Sequence, residues 1–362
     1  MESFKEEAVA IAQEIEGVES VLEKLRVTVM PDFYVDRLIR LRLSPASFVE
    51  KLVEIVESGG GGLQGEFVEV EEVAGGNAAN TARTLASLGF KPSLICVTDS
   101  SGALLLTHFF QGLNVNLHVV PGEVRSMTTS FEILYEGKAV NLMIGFPGSL
   151  ASLSFNDLGE RELEVLRRSD LVGIFNWAGN WHKGTEFFRD SLAYIKSEGG
   201  GLTYIDIADP RPRIDDLPRF VEEVVLSRYA DYISVNEYEA TAIGRCLGVE
   251  PRSPLTCAVR IAEESSAQVL LHTPEFSAYV KPGGEVETAP TFRIEARVAT
   301  GAGDAFNAGA IMAVLLGLTP VQTLILANSV AAYYISMLRA PTLGELRSFL
   351  LEAEFRESPN LI

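Results

Sequence analysis

Positive charge, cysteine and long apolar runs are all scarce in this chain. Its 362 residues carry 30 lysines and arginines against 49 aspartates and glutamates, a net charge of −19. Such a surface repels phosphate backbones and anionic lipid, which argues against nucleic acid or a membrane as partner, although one local pocket can still hold a phosphate. The three cysteines, Cys96, Cys246 and Cys257, make no C-x-x-C pair and no zinc-spaced cluster with histidine, so they read as reduced, buried thiols. The four histidines share no spacing. No segment is long enough to cross a bilayer, and the opening "MESFKEEAVAIAQEIEGVESVLEKL" lacks the continuous apolar core of a signal peptide. A cytoplasmic chain is the expectation.

Hydrophobic residues, at 47%, are plentiful enough for a large core, which fits one big α/β domain or a domain with a small appendage. The periodicity predicts an amphipathic helix over residues 3–24, then an apolar strand "RVTVM" that Pro31 ends. A helical stretch "SPASFVEKLVEIV" precedes the run Gly59 to Gly62, the expected flexible joint. Alternating strands near "TSFEILYEG" and "AVNLMIGF" suggest an antiparallel flap. From about residue 160 the strands "LVGIFNW", "LTYIDIA", "DYISVN" and "VLLHT" alternate with helical segments, the rhythm of a parallel sheet. Ligands of such sheets gather at the carboxyl ends of the strands. The last third reads as helices over 303–317, 319–337 and 342–355.

Two glycine clusters stand out, "AGGNAANTARTLASLG" and "RVATGAGDAFNAGAI". In each, small residues lead straight into a helix start, where free N–H groups attract anions and the backbone can approach a ligand closely. Taken singly, each also reads as a turn followed by a helix cap, with Asn77 or Asp304 as the cap. The motif "NEYEA" after "DYISV" is likewise an ordinary helix start when read alone.

Taken together, with one glycine cluster near each end and "NEYEA" between, the chain resembles the ribokinase-like, or PfkB, family of carbohydrate and nucleoside kinases. The resemblance implies a three-layer α/β/α sandwich with a mainly parallel central sheet and a small β-rich lid. It assigns residues 26–355 to the kinase domain, with lid segments near 37–74 and 114–146, and leaves residues 1–25 as an N-terminal helical extension. It further implies transfer of a phosphoryl group from a nucleotide to a hydroxyl of a sugar, sugar phosphate or nucleoside, with Mg2+ as cofactor and ATP, or alternatively ADP, as donor. A non-catalytic sugar- or nucleoside-binding sensor that keeps the fold is the other reading, and the intact Gly301 to Asp304 turn speaks against it.

By the same resemblance, Asp304 is the base and Gly301, Ala302 and Gly303 form the anion hole. Asp36, Gly75, Gly76, Asn77 and Asn80 bind the acceptor, Thr273, Thr300 and Asn328 meet the nucleotide, and Asn236 and Glu239 hold magnesium through water. Relatives pair through their lids, which points to a homodimer. The chain departs from the family at Val298, where relatives carry an aspartate that helps bind a monovalent cation, and in "LLHTPEFSAYV", where a glycine-containing element is expected. Trp177 and Trp181 suit a nucleoside, whereas the arginines beside Asp36, or Arg211 and Arg213, suit a phosphorylated acceptor. His272 could equally touch nucleotide or sit satisfied in the core.

Overall fold

A computed structural model describes residues 2–63, 65, 67–135, 138–250, 252–295 and 301–357. The opening segment forms α1 (Glu2–Glu14) and α2 (Glu19–Leu22) rather than one helix over 3–24, because Gly17, at φ 75°, turns the chain between them. Ala8, Ile11 and Ala12 of α1 are buried in the main core. Gln322 and Arg347, from the far end of the chain, bond Glu7 and Glu16.

β1 (Val27–Met30) enters the central sheet and ends at Pro31, which has no amide to donate. The chain then leaves the sheet as β2 (Tyr34–Leu41), α3 (Pro45–Glu57) and β3 (Val68–Gly75), and returns with α4 (Asn77–Ser87), β4 (Ser93–Thr98), α5 (Ser100–Phe109) and β5 (Asn116–Pro121). A second excursion makes the hairpin β6 (Ser126–Tyr135) and β7 (Lys138–Phe146). Regular alternation follows, with α6 (Glu160–Arg168), β8 (Leu171–Phe175), α7 (Gly184–Ser197), β9 (Leu202–Asp206), α8 (Leu217–Glu223) and β10 (Tyr232–Asn236). After α9 (Glu237–Cys246) and α10 (Pro254–Ser265) come β11 (Gln268–His272), β12 (Phe276–Val280) and β13 (Val286–Pro290). The described chain closes with α11 (Ala302–Leu315), α12 (Pro320–Met337) and α13 (Leu343–Glu352).

Among the described residues the central sheet runs β13-β12-β11-β10-β9-β8-β1-β4-β5, parallel except where β12 and β13 turn back. Its side chains alternate between two cores: Leu270 of β11 faces one, Val269 and Leu271 the other. Helices α1, α4, α5, α11, α12 and α13 bury residues in the first core and α6 to α10 in the second, giving α/β/α layering. The two excursions pair as a four-stranded sheet, β3-β2-β6-β7, which is the lid. The expected lid segment 114–146 begins too early, since β5 pairs in parallel with β4, Cys96 opposite Val119, and so belongs to the central sheet. Cys96 and Cys257 are buried as expected, but Cys246 is exposed at the end of α9.

Candidate active site

The carboxyl ends of β1, β8, β9, β10 and β11 converge with the amino ends of α4, α9 and α11 beneath the lid. They enclose a cavity of about 470 Å³. Its position follows from topology: the chain reverses its winding direction at β1, with β8 on one side and β4 on the other, and such a reversal opens a crevice at the strand ends.

Asp304 lies at the head of α11. Gly301, the residue before that helix, adopts φ 85°, and a Cβ there would meet the Tyr334 hydroxyl at 2.7 Å, so glycine is required on both counts. Among the described residues no side chain caps the helix, and its first-turn amides, including those of Ala302 and Gly303, point toward the space an anion would occupy. The Asp304 carboxylate is buried, and its two oxygens accept from Asn77 Nδ2 at 2.8 Å and Asn80 Nδ2 at 2.9 Å. The two asparagines stand three residues apart on α4, hence on one face of that helix. Burial raises the Asp304 pKa well above the usual carboxylate range, with Asp206 adding to the rise and the Asn80 bond opposing it.

Opposite, Asp36 of β2 lines the cavity from the lid. Burial pushes its pKa up to about 6, against the Thr128 hydroxyl, and its Oδ1 is enclosed without a hydrogen-bond partner among the described residues. Asp32, which the sequence reading passed over, lies beneath the start of α4 and does not line the cavity. Fully buried, it accepts the amides of Asn77 at 2.9 Å and Ala78 at 2.8 Å and the Asn176 side chain at 2.7 Å. It therefore anchors the first turn of α4 and with it the asparagines on Asp304. The one available signal was its place directly after a strand-ending proline.

Asn236 caps α9, accepting from the amides of Tyr238 and Glu239, and its own Nδ2 donates to Glu239 Oε1 at 2.7 Å. Glu239 is buried, and burial, reinforced by Asp206, raises its pKa well above the usual value. Asp206, at the end of β9, accepts from Asn307 at 2.8 Å, and Tyr204 donates to the same asparagine at 2.8 Å. Asp206, Asp209 and Asn176 also line the cavity and were missed, because no local motif marks them.

Gly76, Asn77, Asn80, Asn236, Glu239, Gly301, Gly303 and Asp304 are thus brought together with Asp36. Gly75 stands behind Asp36 instead of lining the space: a Cβ at that position would meet the Asp36 carboxylate at 1.9 Å. The Thr273 hydroxyl is engaged in its own turn, accepting from Phe276 N at 3.0 Å and Glu275 N at 3.2 Å. Asn328 is buried with its amide on Ser277 at 2.9 Å, away from the cavity lining. Thr300 and Val298 lie outside the described residues.

The features that suggested particular acceptors have structural roles. Trp177 is fully buried, packed on Phe220 and covered by the Arg213 guanidinium at 4.1 Å. Arg213 donates to the carbonyls of Trp177 and Asn180, and Arg211 pairs with Asp209. Arg37 pairs with Glu72, and Arg40 with Glu71 and Glu132, all across lid strands. His272, by contrast, lines the cavity, and its Nε2 is enclosed with no partner among the described residues.

A model of the prokaryotic ketohexokinase family matches residues 211–353. The chain is 25% identical over 326 residues to a ketohexokinase of Haloferax volcanii, covering 84% of this chain and 81% of that one. Among solved structures, Arabidopsis thaliana ribokinase complexed with ribose and ATP superposes with a TM-score of 0.68 at 16% identity, over 91% of this chain and 99% of that one. Adenosine kinase from Sinorhizobium meliloti gives 0.68 at 19% identity, over 90% and 97%. These two structures establish the ribokinase-like fold. The glycine signatures and the two ketohexokinase matches together support a carbohydrate kinase, a phosphotransferase with an alcohol group as acceptor.

Proposed function

We propose that this chain transfers the terminal phosphoryl group of ATP to a hydroxyl of a ketohexose, with magnesium. The observation that carries the mechanism is a single buried carboxylate, Asp304, at a helix start whose free amides open on the same cavity. The acceptor lies between Asp36 and Asp304. Asp304 takes the hydroxyl proton as that oxygen bonds to the terminal phosphorus, while the bond from phosphorus to the bridging oxygen breaks and its electrons leave with ADP. The amides of residues 301–303 donate to the phosphoryl oxygens as charge shifts onto the leaving group. A carboxylate oxygen has lone pairs beyond the one held by an asparagine, so the asparagine bonds orient the base without blocking it.

The ketohexose assignment draws on the two ketohexokinase matches and on the absence of any lysine or arginine among the described lining residues, which disfavours a phosphorylated sugar. Neither Trp177, which is buried, nor Trp181, which is exposed, is among the residues lining the cavity, so the feature that suited a nucleoside carries no weight. Magnesium fits the donor set as a hydrated ion. No cluster of three ligating side chains occurs among the described residues, so Glu239, Asp206 and Asp209, which line the cavity, would meet the ion through its water shell. When bound, the ion would neutralise phosphate charge.

Label transfer from terminally labelled ATP to fructose, ribose, adenosine and a sugar phosphate tests this reading, with ADP run in parallel as donor. Transfer to fructose should exceed the others. Efficient labelling of ribose or adenosine with none of fructose would overturn the acceptor assignment.

Asp36 gives the reaction a pH signature. Its carboxylate accepts from acceptor hydroxyls most strongly while ionised, and burial pushes its pKa up to about 6. The KM for the sugar should rise as pH falls through that value, and Asp36→Asn should show a raised KM that no longer varies there. A KM for the natural chain that stays flat across this range would remove Asp36 from that role.

A further inference from the structure

The cavity carries Asp36, Asp206, Asp209, Glu239 and Asp304, and among the described residues no lysine or arginine lines it. A nucleotide polyphosphate entering this space needs N–H or O–H donors for its oxygens. Each of the lining asparagines has committed one amide N–H to an acid, Asn77 and Asn80 to Asp304, Asn176 to Asp32 and Asn236 to Glu239. Thr273, next in the chain to His272, holds its own turn. Besides the first-turn amides of α11, the lid hydroxyls of Tyr34 and Thr128 and the second N–H of those asparagines, His272 is a side-chain donor among the described lining residues, and it bonds no carboxylate there.

Its ring is well placed for the task. It ends β11, tilts on Phe306 with centroids 4.8 Å apart, and its Cε1 is 3.6 Å from where a Cβ of Gly303 would stand, beside the anion-binding turn. Nε2 is enclosed without a partner among the described residues, whereas Nδ1 is not so enclosed, and since His272 lines the cavity Nδ1 is the ring nitrogen that a ligand there could reach. A proton on Nδ1 leaves a bare acceptor enclosed, a lesser penalty than an orphaned N–H.

Building on the kinase reading, we propose that the Nδ1–H of neutral His272 donates to a phosphate oxygen of the bound nucleotide, supplementing the backbone turn where glycine-rich backbone is absent. His272 is then a residue that sets donor affinity, and it takes no part in proton transfer from the acceptor.

The test is calorimetric binding of ATP with magnesium, without sugar, to the natural chain and to His272→Leu, His272→Ala and His272→Asn, each checked for folding by its melting curve. Asparagine places an amide nitrogen near the Nδ1 position. Leucine keeps bulk against Phe306 without a donor, and alanine serves should leucine not fold. Removing a hydrogen bond to a charged group is expected to weaken ATP binding by about 10-fold or more in His272→Leu and His272→Ala, with asparagine retaining most of the affinity. In steady state the KM for ATP should rise while the KM for sugar stays unchanged. Unaltered ATP affinity in His272→Leu, or equal losses in leucine and asparagine variants, would overturn the proposal while leaving the kinase reading intact. A natural chain that binds no ATP would overturn both.

Discussion

Asp304→Asn should turn over the acceptor about 10² to 10⁴ times more slowly than the natural chain, the range for losing a positioned general base, with both KM values little changed. Shape is kept and basicity is lost. The same substitution should also raise stability at neutral pH. Burial and the nearby Asp206 raise the folded-state pKa of Asp304 above its unfolded value. Such a group supports the fold fully only below its unfolded pKa, and that support is lost as pH rises through the folded pKa. At pH 7, above the unfolded pKa, the natural chain therefore bears a penalty for burying this carboxyl group that the asparagine variant lacks, and the two melting temperatures should converge toward about pH 4. One adjustment is needed, since Asn77 and Asn80 both donate to this carboxylate and one of them must flip to face the new amide. Near-normal turnover in a well-folded Asp304→Asn would remove the base from the mechanism.

The second large effect belongs to Asp32→Ala. This substitution strips the acceptor from two backbone amides at the start of α4 and from Asn176, all in a buried setting. Each orphaned donor costs about 1–3 kcal/mol, and burial raises the Asp32 pKa, so losing its charge offsets part of that sum. A net destabilisation on the order of 3 kcal/mol is expected, read from the urea midpoint at constant slope. Turnover should fall as well, because α4 carries the asparagines that orient Asp304. Asp32→Asn, which keeps one acceptor oxygen, should lie between. If the alanine variant is as stable and as active as the natural chain, Asp32 is not an anchor.

These two aspartates show which parts of the molecule could be read from the sequence. Asp304, Gly301, Asn77 and Asn80 announce themselves because a turn and a helix start are local, so the chemistry lies within a few consecutive residues. Asp32, Asn176 and Asp206 meet only because β1, β8 and β9 are neighbours in the sheet, across gaps of more than a hundred residues between Asp32 and the other two. Strand alternation gave the parallel sheet, but it could not show that β5 pairs with β4 while β6, a few residues later, pairs with β2. Residue type misled where burial decides role. Trp177 and Arg213 suit a ligand by chemistry, yet they satisfy one another beneath the surface.

The acid lining of the cavity also determines how fast an anionic substrate can arrive. Opposite charges draw reactants together at rates that salt suppresses, whereas like charges behave in the reverse manner. The carboxylates that line the cavity, on a chain of net charge −19, turn away a free nucleotide during the final approach, within the roughly 10 Å over which charges act at 0.1 M salt. Added salt should therefore quicken the encounter instead of slowing it. Divalent cation in the medium acts in the same direction by lowering the charge on the nucleotide, so capture favours the complexed form before any contact inside the cavity is made.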